Sequence, residues 1–145
     1  MSDLHVLCKI ADAEYVLPAA DVLQMESFSG ATKVPGAAAQ VAGLVQIRGH
    51  VVPVLDMRVV FGLQTIEATI DSRVIVMKQG ERTVGLLVDS AREVLKIPAE
   101  DFQPPPPVVS QQTDGLVKAV ARAGKRLLMH IDFTKVIGEE QEHGE

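Results

Sequence analysis

Hydrophobic residues along the chain recur in short runs with two-residue alternation, the spacing of strands, and not at the three-to-four residue spacing of amphipathic helices. The clearest case is GLVQIRGHVVPVLDMRVVFGL, residues 43–63. Leu44, Val45 and Ile47 alternate past Gln46 into Arg48-Gly49-His50, and a second apolar run, Val51 to Leu55, follows at once. This predicts a β-hairpin whose glycine supplies a backbone conformation that other residues resist. Pro53 has no amide hydrogen, so it predicts an edge or a barrel rim for the second strand. Asp56 is placed to cap a short helical turn through Met57, Arg58 and Val59 that stops at Gly62.

The remaining pattern is read in the same way. Leu4 to Ile10 and Glu14 to Leu17 predict a hairpin turning at Asp12-Ala13 and ended by Pro18. Ala19 to Met25 has no regular period, which leaves a brief helix and an extended stretch both open. Ser27 to Ala38 is loop by composition. Residues 64–72 form a polar loop, the best candidate for an internal seam in a single domain spanning 1–145. Arg73 to Met77, Thr83 to Val88 and Glu93 to Ile97 predict three antiparallel strands in a row. Pro98 to Asp101 suits one helical turn, and Pro104 to Pro107 an extended polyproline connector. Leu116 to Ala121 and Arg126 to Ile131 predict the last hairpin. Asp132 then caps a helix that Gly138 ends, leaving 139–145 as a flexible acidic tail.

Ten or eleven short strands without a long helix between them predict an all-β protein, with antiparallel barrels or a sandwich ahead of a parallel α/β fold. One sheet of that many strands would tend to curl or split. Apolar residues make up 47% of the chain and aromatic ones 3%, so the interior is to be packed from Val, Leu, Ile, Met and Ala. A net charge of −5 argues against nucleic-acid or anionic-membrane partners, which need a basic patch. The single Cys8 lies in an apolar run and reads as a buried hydrophobe. No run of about 18 apolar residues and no basic leader is present, so the expected location is cytoplasmic, with no membrane insertion.

Catalytic and cofactor patterns do not stand out. The four histidines, His5, His50, His130 and His143, stand singly without metal-ligand spacing, and no phosphate-cradling glycine motif occurs. No metal, no cofactor and no catalytic residue is therefore expected. Asp56 with Arg58, and Asp89 with Arg92, are explained by capping and surface pairing at turns. Arg48 at the hairpin tip is, by position alone, an ordinary solvated arginine.

The 43–63 stretch, together with EYVLPAADVLQM upstream and RVIVMKQGERTVGLLVDSAREVLKI and GLVKAVARAGKRLLMHIDFTKVI downstream, resembles the CheW-like domain family over roughly 4 to 138. The resemblance implies two five-stranded SH3-like barrels packed side by side with a short C-terminal helix, and a short strand within 19–25. It implies a non-enzymatic adaptor, recruited to receptor arrays, that couples the cytoplasmic tip of methyl-accepting chemoreceptors to the regulatory domain of a CheA-type histidine kinase. Arg48 then belongs to the partner-binding surface, where its planar five-donor fork suits carbonyls and carboxylates of a partner helix. Val22 and Gln24 match a groove position that takes the receptor's helical hairpin, with plain core an equal alternative for Val22. Gly43, Gly85, Val88 and Val94 match strands lining or supporting that groove, a close backbone approach being the simpler role for the two glycines. Gln24 replaces the family's usual glutamate, Gln46 the usual asparagine, Val41-Ala42 a common aromatic and Val16 a glycine. Such changes bear on partner choice, which leaves as an alternative an adaptor of a divergent system (gliding, pili or gene regulation) that binds receptor but not kinase. A small ligand-binding barrel is a second one.

Overall fold

A computed structural model describes residues 3–143. Eleven strands form two sheets, and the chain divides into two compact units, 3–8 with 12–20 and 92 onward, and 9–11 with 21–91. The all-β expectation is met. The loop 64–72, expected as the seam, lies inside the second unit.

The first sheet runs β8-β1-β2-β11-β10-β9, built from β1 (Leu4–Ile10), β2 (Ala13–Pro18), β8 (Ser90–Lys96), β9 (Phe102–Gln103), β10 (Val117–Ala123) and β11 (Arg126–Ile131). It has six strands where five were expected, the sixth being the two-residue β9. Leu7, Val16, Ile97, Ala121 and Leu128 form a buried cluster, with Leu95, Phe102 and Ala123 packed against it. Cys8 is buried at 2% exposure, as its apolar run required. The second sheet runs β3-β6-β7-β5-β4, from β3 (Val22–Ser27), β4 (Val41–Ile47), β5 (His50–Asp56), β6 (Arg73–Gln79) and β7 (Arg82–Val88). Ile47, Val52, Val54, Val74 and Val76 make its core, with Phe28, Ala42, Val45 and Leu87 alongside. The buried residues of both clusters are aliphatic.

Several local expectations are corrected. The three-strand run is broken, because β7 already has β6 on one side and β5 on the other, and β8 pairs with β1 instead. At the switch, the Asp89 amide donates to the Lys9 carbonyl at 2.9 Å. Pairing is not purely antiparallel: β2 lies parallel to β11, and β5 parallel to β7. Neither pair is joined by a tight hairpin, so nothing forces antiparallel direction on it. Pro53 does not mark an edge strand, since β5 is interior. It pairs with Leu44, and the ladder to β7 begins only at Val54, so the missing amide falls where β5 has one neighbour.

Residues 19–21 form a 3-10 turn and 22–27 the strand β3, so both open readings of that stretch are used. The helix α1 (Met57–Val60) is capped by Asp56, whose carboxylate accepts from the Arg58 amide at 3.0 Å. The proline run is extended only to Pro106, and Pro107 opens an unexpected helix α2 (Pro107–Gln112) at its first position, where a missing amide hydrogen costs nothing. Asp132 caps α3 (Phe133–His143), and Gly138 does not end it. One helical glycine costs about 1 kcal/mol relative to alanine, which weakens a helix without stopping it. Of the expected acidic tail, 139–143 continue α3, while 144–145 lie outside the described residues.

Candidate functional site

β4 and β5 are paired from Val41↔Leu55 to Ile47↔His50, leaving only Arg48 and Gly49 in the turn. Both have positive φ, +51° and +82°, which is the two-residue turn whose twist matches that of the flanking strands. Glycine accepts this freely, whereas arginine takes it at some cost. The hairpin thus holds the exposed guanidinium of Arg48 at the tip of a paired, twisted ribbon. Beside it Val51 is 66% exposed.

The sheet ends in two edge strands, β3 and β4. On β3 exposure alternates: Val22, Gln24 and Glu26 are half-buried, while Leu23 and Met25 are exposed. A register shift between Val22 and Gln24 sets this phase. Sequence reading picked the inner-facing pair and missed the outward apolar one, although the alternation Val22-Leu23-Gln24-Met25 carried the signal. Between the C-terminal part of β3 and β4 lies a depression of about 510 Å³, walled by Glu26, Phe28, Ala31, Leu44, Gln46 and Ile47.

Six of the seven candidate residues belong to this unit. Val22 and Gln24 are on β3, Gly43 is on β4, Arg48 is at its end, and Gly85 and Val88 are on the central β7. Val94 is exposed on β8 in the other unit, so it does not join the group by this measure. Gly43, Gly85 and Val88 are buried and offer a partner no side chain. A Cβ on Gly43 would lie 2.3 Å from the Thr32 carbonyl oxygen, where the segment before β4 hydrogen-bonds to Leu44 in both directions at 2.8 and 2.9 Å. A Cβ on Gly85 would lie 2.5 Å from Val74 Cγ1 and 3.3 Å from Val54 Cγ2, inside the core. The glycines serve close approach, the simpler of their two roles.

An ion pair not foreseen from the sequence holds the far end of the same sheet. Arg58 Nε donates to Asp89 Oδ1 at 3.0 Å and Nη2 to Oδ2 at 2.7 Å, while the Ala11 amide donates to Oδ2 at 2.9 Å. Asp56, buried, also accepts from the Thr65 hydroxyl at 2.6 Å. Asp89→Ala removes the two oxygens serving this fork and amide. It is expected to cost about 2 kcal/mol, read as a lower urea midpoint, because paired charge-assisted bonds at partly buried sites are the stronger kind.

In the first unit Arg126 reaches Glu14 through Nε and Nη2, at 3.1 and 2.9 Å, and Glu93 through Nη2 at 3.1 Å. These carboxylates raise its already high pKa further. His5 and His130, distant in sequence, stack edge to face with ring centroids 5.4 Å apart, and Phe102 lies 5.2 and 5.1 Å from them. Burial first, then Lys118 and His5, pushes His130 down to about 4, against a smaller opposing pull from Asp132. His5 Nδ1 meets the Asp3 carbonyl at 2.9 Å. Among the described residues no three His, Cys, Asp or Glu side chains converge as metal ligands would.

Residues 5–141 match the family model described as CheW-like domain. The chain is 30% identical over 127 residues to the chemotaxis protein CheW of Bacillus subtilis (strain 168), covering 88% of this chain and 81% of that one. It is 28% identical over 133 residues to the chemotaxis protein CheW of Rhizobium meliloti (strain 1021), with 92% and 86% covered. Its fold superposes on the crystal structure of the scaffolding protein TtCheW from Thermoanaerobacter tengcongensis with a TM-score of 0.82 at 28% identity, covering 91% of this chain and 90% of that one. With a family model spanning nearly all of its length, the chain belongs to the CheW-like domain family.

Proposed function

We propose that this chain is a chemotaxis adaptor that works without catalysis, joining the cytoplasmic tip of a methyl-accepting chemoreceptor to the regulatory domain of a CheA-type histidine kinase. The observation that carries the reading is the Arg48-Gly49 turn, which presents an exposed arginine from the end of a paired hairpin within a chain of this family. Its planar five-donor fork suits carbonyls and carboxylates at the end of a partner helix. The exposed Val51 beside it, and Leu23 and Met25 on the opposite sheet edge, add apolar area for a helical hairpin. Val22 and Gln24 act in this reading by setting the phase of β3. Gly43, Gly85 and Val88 keep the sheet closed enough to hold its edges in place, and Val94 is a separate exposed contact on β8.

No helix among the described residues is long and apolar enough to cross a membrane, so in this reading the adaptor reaches the membrane through its receptor partner, from the cytoplasmic side. Each contact is modest in area, and an array built from many of them gains its strength by linkage.

The test uses substitutions that respect the turn. Arg48→Asn keeps a residue tolerant of positive φ while removing the fork, and Arg48→Glu reverses the charge. Both are expected to weaken binding of a purified receptor-tip fragment at least tenfold, with thermal unfolding unchanged for Arg48→Asn. Full receptor affinity in both variants would sink the proposal.

A further inference from the structure

The most exposed large apolar side chain of the described residues is not on the Arg48 hairpin but in the loop between α1 and β6. Ile70 is 89% exposed, and Ile66 and Leu63 of the same loop are 47% and 43% exposed. A scattered exposed isoleucine needs no explanation, but here three exposed large aliphatic residues fall within eight positions of one loop.

This loop is also held in shape. Thr65 is tied to Asp56 at 2.6 Å. At the other end the Thr69 amide donates to Ser72 Oγ at 2.9 Å, the Asp71 amide to Thr69 Oγ1 at 3.1 Å, and the Ser72 amide to the Thr69 carbonyl at 3.1 Å. Arg73 Nη1 donates to the carbonyls of Ile70 and Ser72, both at 2.8 Å, and Ser72 is buried. The base of the turn is fixed and its tip carries Ile70 into solvent, an arrangement that removes much of the ordering cost of inserting that side chain into a socket.

Strand register gives its position. β5 runs away from the Arg48 turn and is parallel to β7 through Asp56↔Leu87, while Arg73 pairs with Val88. The 69–73 turn therefore sits at the end of the second sheet opposite Arg48. Six strand steps of about 3.3 Å put the two roughly 20 Å apart.

We propose that the loop 63–72, with Ile70 as its anchor, is a second docking element that inserts into an apolar socket with a cationic rim on a protein partner distinct from the receptor tip. Resting on the adaptor reading above, that partner is the kinase regulatory domain. The cationic rim follows from Glu67 and Asp71, two acids against the one cation at the turn, Arg73, whose Nη1 is held by the Ile70 and Ser72 carbonyls. The same two acids disfavour an anionic lipid surface. They also disfavour a second copy of this chain, whose groove beside Leu127 and Met129 is flanked by Glu100 and Asp101 against the single Arg122. An adaptor with contacts at opposite ends of one sheet can hold both partners at once without competition.

The experiment titrates the full chain separately with a purified receptor-tip fragment and a purified kinase regulatory domain. Ile70→Ser is expected to weaken kinase binding at least tenfold and leave receptor affinity within twofold, with unfolding temperature unchanged because the side chain is solvated. Ile70→Leu restores kinase binding, and Glu67→Lys weakens it and flattens its salt dependence. Unchanged kinase affinity in Ile70→Ser, a loss of receptor binding in its place, or loss of a self-associated form would each overturn the inference. Arg48→Asn separates the two claims, since retained receptor binding there defeats the adaptor site while leaving the Ile70 result to be read alone.

Discussion

Gly43→Ala is expected to destabilise the protein by about 3 kcal/mol or more, with a matching fall in urea midpoint. Two penalties coincide at this residue. Its φ of +145° is one that residues with a Cβ rarely adopt, and the added Cβ would stand 2.3 Å from the Thr32 carbonyl oxygen and 2.8 Å from its carbonyl carbon. Both atoms are backbone, so relief means moving the 31–32 segment and breaking the paired hydrogen bonds between Thr32 and Leu44. Gly49 supplies the control. It too has a positive φ, but a Cβ there meets nothing within 4 Å, so Gly49→Ala should cost only conformational strain of about 1 kcal/mol. Had Gly43 been a partner contact, its alanine variant would fold normally and fail only in binding. A stable Gly43→Ala variant with impaired binding would overturn the packing role.

How much of this could be read beforehand divides by sequence separation. The hairpin over 44–55, the Asp56 cap and the buried Cys8 rest on neighbours within a few residues, and patterns of alternation, turn residue and cap report such neighbours directly. The need for glycine at 43 comes from Thr32, eleven residues away, and the partner of Asp89 is Arg58, 31 residues away and not the adjacent Arg92 that the sequence offered. The place of β8 beside β1 was hidden for a related reason. Strand sequence tells that a segment is extended, not which side of a strand is already occupied, and β7 was full. Arg48 was legible as a turn residue and, through the family resemblance, as a candidate contact. Its own left-handed backbone was not, because a preceding hairpin position tolerates Asn, Asp or Gly so much more readily. The exposure of Ile70 leaves no mark in the sequence, since Ile66 and Ile70 among Thr, Glu, Ala and Asp make no two-residue alternation.

The second large effect is acid sensitivity centred on His130. Burial, more than the nearby Lys118 and His5, disfavours its charged form and holds its pKa near 4 in the folded state, against about 6.5 when unfolded. Its Nε2 is buried without a hydrogen-bond partner, and the Phe102 ring and the His5 ring pack against it, so nothing on those sides accepts an added proton well. Asp132 opposes the shift but does not cancel it. Because the folded pKa is depressed, the unfolded chain binds more protons between these two values, and stability falls as pH drops from 6.5 towards 4. Two and a half pKa units correspond to about 3 kcal/mol over that window, present in full above 6.5 and lost by 4. His130→Phe keeps an aromatic body against Phe102 and removes the titration. Its unfolding free energy is expected to decline less steeply between pH 6.5 and 4 than that of the unmodified chain, by about that amount. Parallel pH profiles for the two proteins would remove His130 from the account and leave the carboxylates as the source of any acid lability.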